Sequence, residues 1–224
     1  MQGSGLITVF YRICEWVVRF FIANVLWLIF NLPIVYLAFN VFLAKSPDHL
    51  LANLLLIALL TPFCFFPATS ALFGVVRKWI LGNSDNSILK LYVKSYKENY
   101  VKSMAGGIFF TILWSILIID YFYFMKLNSP FIYLFVAMIG AYIFVITLHF
   151  LSNTVHVHLT LRTLLKNSFL LGIGRPVQTI CIALCCIAVL YISFNVFTAF
   201  IILGMGSAAA FVSFYFYYKA VPRA

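Results

Sequence analysis

A chain of 224 residues is long enough for one compact domain, yet 65% of it is hydrophobic, 19% aromatic and only 9% charged, more apolar surface than a soluble core absorbs. That balance excludes a water-soluble globular protein and places the chain in a bilayer. The net charge of +10 sits almost wholly beside apolar stretches, so it reads as a topology signal and not as a nucleic-acid footprint.

The first residues, MQGSGLITVFYRICEWVVRF, lack the basic start, continuous apolar block and small-residue cleavage site of a secretory signal, which predicts that they are retained. Leu6, Val9, Phe10, Ile13, Trp16, Val17 and Phe20 recur at helical spacing, with Arg12, Glu15 and Arg19 between them. This pattern predicts an amphipathic interfacial helix over 1–19 that leads directly into the first span. Uncharged stretches then cover 20–44, 50–76, 103–119, 127–161 and 176–218. About 20 apolar residues cross a hydrocarbon core, so the first four stretches hold one span each and the last holds two.

The prediction is therefore an all-α membrane protein, a single domain over 1–224 with six transmembrane helices. With both termini cytoplasmic, thirteen of the fifteen Lys and Arg residues face inward and only Lys45 and Lys126 face outward, a strong positive-inside bias. Arg19, Lys94 and Arg162 are each followed five positions later by asparagine, at Asn24, Asn99 and Asn167. That recurrence suggests three repeated hairpins, each with a basic approach.

Inside the first span, Asn24 and Asn31 share a helix face, and Pro33 breaks the backbone ladder in FNLPIVY. An amide in lipid needs a partner, so that face should turn toward another helix. The second span carries Pro62 and Pro67, followed by Thr69 and Ser70 among small residues. The carbonyls freed by these prolines either line a polar cavity or are satisfied by neighbouring helices.

The stretch 77–102 holds six of the basic residues, Arg77, Lys78, Lys90, Lys94, Lys97 and Lys102. A helix starting near Ile88 sets Tyr92, Tyr96 and Tyr100 in a stripe on one side and Lys90, Lys94 and Lys97 on the other. Tyrosine rings favour the headgroup level and lysine stems snorkel from it, which predicts a helix lying along the cytoplasmic face before the chain turns inward. Such a collar, joined by Arg162 and Lys166 in RTLLKN, serves binding to anionic lipid, worth about 1 kcal/mol per basic residue, or docking of a protein partner.

Ser103, Gly107, Thr111 and Ser115 form a small-residue stripe suited to close packing against an internal neighbour or another subunit of a homo-oligomer. Asp120 is the acidic residue placed within a span, near its outer end, and is a candidate for ion or proton coupling. His149, His156 and His158 have no carboxylate or cysteine constellation beside them, so they read as hydrogen-bonded or interfacial, and no metal site is predicted. The cysteines Cys14, Cys64, Cys181, Cys185 and Cys186 read as small hydrophobes and not as a disulfide framework. No paired carboxylates, nucleophile elbow or phosphate loop occurs, so neither an enzyme nor a cofactor is predicted.

YRICEWVVRFFIANVLWLIFNLPIV, FPATSALFGVVRKWILG, SYKENYVKSM and LLKNSFLLG together resemble the YesL-like family of bacterial integral membrane proteins, a domain of unknown function. The resemblance is carried most by Glu15, Trp16, Asn24, Trp27, Leu32 and Pro33, then by Pro67, Ala68, Ala71, Arg77 and Lys78. It implies a multispan protein of the bacterial plasma membrane, often encoded beside carbohydrate-uptake ABC transporters and glycan-degrading enzymes in Gram-positive bacteria. The function expected is an accessory or scaffold protein of carbohydrate import or envelope glycan metabolism, with ABC transporter subunits as partners. The alternative is a small six-helix transporter or channel, with a pathway built from Asn24, Asn31, the Pro62–Ser70 segment and Asp120.

Overall fold

The computed structural model describes residues 3–44, 46–82, 87–125 and 130–221. Lys45, Lys126, Arg223 and most of the GNSDNS and KLNSP connections, on which parts of the charge and turn predictions rest, lie outside the described residues. Helices α1 (Gly3–Phe30), α2 (Leu32–Leu43), α3 (Pro47–Leu60), α4 (Phe66–Ile80), α5 (Ile88–Met125) and α6 (Pro130–His156) are followed by α7 (Leu161–Gly174), α8 (Pro176–Tyr191), the short α9 (Phe200–Leu203) and α10 (Met205–Ala220). Among the described residues no strand occurs.

By length and composition, five segments can cross a membrane: Ile7–Phe30, Pro47–Ile80, Ile88–Phe124, Pro130–His156 and Pro176–Val196. The predicted first span is divided at Asn31 (φ −101°, ψ 10°), because Pro33 has no N–H to continue the ladder. Of the stretch 176–218 predicted to hold two spans, Pro176–Val196 is long and apolar enough to cross, and the remainder is broken at Gly204 into α9 and α10, the longer of 16 residues against the ~20 that cross a hydrocarbon core.

Local chemistry explains the other breaks. Ser46 caps α3 by accepting from the His49 N–H at 3.4 Å, with Pro47 at the first helical position. Pro62 and Pro67 would each delete an α-helical hydrogen bond, and the chain absorbs this in one π-helical turn, Thr61–Phe65, between α3 and α4. The Thr61 hydroxyl donates to the Ile57 carbonyl and the Thr69 hydroxyl to the Phe65 carbonyl, both at 2.7 Å.

The 38 residues of α5 run about 57 Å at 1.5 Å per residue, nearly twice the ~30 Å hydrocarbon thickness. No turn separates the basic stretch from the apolar stretch that follows, which corrects the expectation of a helix lying along the face and then turning in. Likewise α1 carries the amphipathic start into the bundle without interruption.

The core lies in one half of the bundle. Every residue from Phe66 to Val76 in α4 and from Val145 to Val155 in α6 is buried, with α5, α7 and α10 packed around them. Glycine makes the contact of α5 with both helices possible. A Cβ on Gly106 would sit 2.0 Å from the Phe150 ring, and one on Gly107 would sit 2.8 Å from Phe66. This part of the small-residue stripe therefore packs against internal neighbours.

Candidate functional site

At the core's end of the bundle, the C-terminal turn of α4, the N-terminal turns of α5 and the segment after α6 enclose a polar pocket of about 450 Å³. Arg77 and Lys78 sit in the last turn of α4, where exposed carbonyls and the helix dipole favour cations. Lys90 and Lys94 lie one turn apart on α5 and complete the basic wall. Glu98 is the carboxylate lining it, 3.9 Å from Lys94 Nζ. Arg77 Nε is buried with no hydrogen-bond partner in the protein. At the floor, Gly74 lets the two helices touch, since a Cβ there would lie 2.5 Å from Ser95 Oγ.

The other predicted surface residues divide. Lys97 is exposed on α5, and Arg162 and Lys166 are exposed together on α7, whose opposite side buries Leu164, Ser168 and Gly172. The tyrosine stripe, in contrast, faces protein. Tyr92 is fully buried and its hydroxyl donates to the Ala68 carbonyl at 2.8 Å. Tyr96 packs on Phe30 at 4.9 Å between ring centroids, and Tyr100 packs on Tyr96 at 5.5 Å. The headgroup placement expected for Tyr92 is corrected by this burial.

Beside the pocket lies a polar cluster on α6. His149, Asn153 and His156 follow at i, i+4 and i+7 on one face of α6. Asn153 ties two further helices to it: its Nδ2 donates to Ser168 Oγ on α7 at 3.0 Å, and its Oδ1 accepts from the Tyr217 hydroxyl on α10 at 2.8 Å. His156 packs edge-on against Tyr217 and Tyr218 at 5.8 Å. Both ring nitrogens of the fully buried His149, and Nδ1 of His156, lack a protein partner. In the sequence the two histidines stand seven apart and so share a helix face. The signal for Asn153 was its place midway between them in the same periodicity. Among the described residues no group of three or more His, Cys, Asp or Glu could hold a metal ion.

The predicted pathway residues meet around Trp27, but as a clamp. Asn24 Nδ2 donates to the carbonyls of Ile201 (2.9 Å) and Ile202 (2.7 Å), and Oδ1 accepts from the N–H groups of Gly206 (2.8 Å) and Ser207 (3.3 Å). One buried amide thus serves the carbonyls of α9 and the first N–H groups of α10 across the break at Gly204. Trp27 Nε1 donates to Thr69 Oγ1 at 3.0 Å, and Asn31 Nδ2 donates to the Trp27 carbonyl at 2.8 Å. Asn31 Oδ1 and Ser70 Oγ are buried without a partner. Pro62 and Pro67 are buried, and Pro33 marks the α1–α2 break. Asp120 joins none of these. It is exposed, 26 residues or about 39 Å beyond Lys94 along the same helix.

The asparagines of the proposed repeat do not share a role. Asn24 clamps the α9–α10 break, whereas Asn99 donates to the Ser95 carbonyl within its own helix at 3.0 Å.

A family model described as "Protein of unknown function, DUF624" matches residues 20–121, the region that supplies the clamp's Asn24 and Trp27 and most of the basic pocket. The chain is similar to the uncharacterized protein YesV of Bacillus subtilis (strain 168), 29% identical over 188 residues, which are 83% of this chain and 78% of YesV. It is 25% identical to the uncharacterized protein YesL of the same organism over 190 residues, 82% of this chain and 78% of YesL. The uncharacterized protein YteU, also of that organism, is 32% identical over 120 residues, 54% of this chain and 43% of YteU. No solved structure matches the chain.

Proposed function

From the premise that this chain belongs to the YesL-like family, DUF624, we propose that it is an accessory or scaffold protein of the bacterial plasma membrane. In this reading it serves a carbohydrate ABC importer or envelope glycan metabolism, performs no chemistry itself and crosses the membrane as three hairpins with both termini cytoplasmic. The observation that carries it is a contrast in how polar groups are used. Asn24 and Thr69, candidates for a pathway, are consumed in helix-to-helix hydrogen bonds, while Lys90, Lys94, Lys97, Arg162 and Lys166 stay exposed. A buried amide with all its partners fixes helices in place. An exposed cationic collar is available to anionic lipid or to an acidic partner surface.

The test is recovery from native membranes in mild detergent, followed by mass spectrometry of what accompanies the protein. Importer permease or ATPase subunits in stoichiometric amount are expected. Lys90→Glu combined with Lys94→Glu should reduce their recovery severalfold while insertion is unchanged, and undiminished recovery would count against docking through the collar.

A second reading, a small transporter or channel, is favoured by the buried, unpartnered Asn31 Oδ1 and Ser70 Oγ, since such atoms ask for water or a solute. Solute exchange by the purified protein in liposomes, abolished by Asn31→Leu, would establish it over the accessory role.

A further inference from the structure

We propose that the pocket between α4, α5 and the segment after α6 is a phosphate-binding site, taking a phosphomonoester or phosphodiester. The ligand is either the headgroup of an anionic lipid or a water-soluble phosphate compound. Four cations, Arg77, Lys78, Lys90 and Lys94, line one cavity against a single carboxylate, Glu98, which is 3.9 Å from Lys94. The lining therefore carries a net +3, four positive charges less one negative. Like charges gathered in a concave site repel unless an anion sits among them, and concavity focuses their field on that anion. Lys90 and Lys94 are exposed, but Arg77 and Lys78 are half-buried in the last turn of α4 and hold two cations at the pocket wall.

Arg77 supplies the second, independent observation. Its Nε is buried and has no acceptor from the protein, although a guanidinium donor removed from water demands one. The fork of Arg77 matches phosphate oxygens, and lysines bind phosphate as point charges. The volume of about 450 Å³ lies within the ~300–1,000 Å³ of small-ligand sites and exceeds what a bare phosphate needs. Ser87, Ser95 and His158 also line it, giving groups that can bond a glycerol or sugar hydroxyl next to the phosphate.

The inference deepens the reading of the basic end as a working surface and rests on it. Its test uses the isolated protein, so that loss of anion binding and loss of a copurifying partner are separate results. In an uncharged detergent, inorganic phosphate is titrated calorimetrically. In parallel, the protein is placed in phosphatidylcholine nanodiscs with and without phosphatidylglycerol, and lipid retained after detergent extraction is identified by native mass spectrometry. Saturable phosphate binding identifies a soluble source; specific retention of phosphatidylglycerol without phosphate binding identifies the headgroup. In either case Arg77→Gln with Lys78→Gln should weaken binding about tenfold or more. Lys90→Gln with Lys94→Gln, on another helix, should do the same and guards against misfolding of the first pair. Arg175→Gln with Lys219→Gln removes equal charge from exposed positions outside the pocket and the collar and should leave binding intact. Absence of saturable binding by both probes, or equal weakening by this control pair, overturns the proposal.

Discussion

The two halves of this bundle solve the problem of burying apolar helices differently. Toward the basic end, α4 and the second half of α6 are buried residue after residue, from Phe66 to Val76 and from Val145 to Val155. Toward the other end, α2 and α3 contain no buried residue, and Phe42 and Phe131 expose 85% and 84% of their surface. In water such rings would be a liability; in hydrocarbon they are solvated. The packed half is held by protein contacts and the open half by the bilayer, so a substitution's effect should depend on the half in which it falls.

Glycine substitutions should break this comparison most sharply. Gly106→Val places a branched side chain where a Cβ alone would come within 2.0 Å of the fully buried Phe150, and overpacking there should destabilise by about 3 kcal/mol or more. Gly140→Ala in the open half meets only Leu117 at 3.3 Å and should change stability by less than about 0.5 kcal/mol. The temperature at which each loses its monodisperse elution in detergent measures the difference. Equal losses would show that the open half is packed as tightly as the core.

The asparagines give the next step down. Asn24→Ala leaves the carbonyls of Ile201 and Ile202 and the N–H groups of Gly206 and Ser207 without their shared partner. A loss of about 2–4 kcal/mol is expected, with proteolytic cutting appearing near Gly204 as α9 and α10 separate. Asn40→Ala, in contrast, removes an amide whose bond is to the Tyr36 carbonyl on its own exposed helix, and should be nearly silent. A silent Asn24→Ala would mean that the α9–α10 break does not depend on α1.

These cases show what could be read in the sequence. That the Asn24 and Asn31 face turns toward other helices followed from the cost of an unpaired amide in lipid. That Pro62 and Pro67 interrupt the helical ladder followed from their missing N–H groups, and the π-helical turn Thr61–Phe65 is where the chain absorbs the interruption. Tyr92 was misplaced because an amphipathic pattern says which residues share a face and not what covers that face. The packing of α5 on α4, which sets Tyr92 against Ala68, supplies the answer. The pocket was legible as a density of Lys and Arg, but its enclosure depends on the contact of Gly74 with Ser95, twenty-one residues apart and invisible to any local pattern. Asn153 and Tyr217, sixty-four residues apart, were missed for the same reason.

That long-range pair offers a smaller test within the packed half. Tyr217→Phe removes the hydroxyl that donates to Asn153 Oδ1 and keeps the ring against His156, so the expected loss is about 1–2 kcal/mol, the cost of a buried acceptor left unpaired. Ser168→Ala removes the partner of the same amide on α7. Since both bonds converge on Asn153, the double variant should lose less than the sum of the singles. Strict additivity would mean that α7 and α10 are held to α6 independently.

The smallest expected effect falls on Asp120, and it bears most directly on function. Its carboxylate is exposed at the far end of α5, about 39 Å from Lys94, and an exposed charge away from a partner contributes little. Asp120→Asn should therefore alter stability by less than about 0.5 kcal/mol and leave the recovery of copurifying subunits unchanged. A transporter that used this carboxylate for coupling would respond differently: stability would again be unaffected, while solute exchange in liposomes would lose its dependence on an imposed proton gradient. The substitution thus separates the two readings without disturbing the fold, because Asp120 lies at the far end of the span Ile88–Phe124 and no hydrogen bond or ion pair among the described residues depends on its carboxylate.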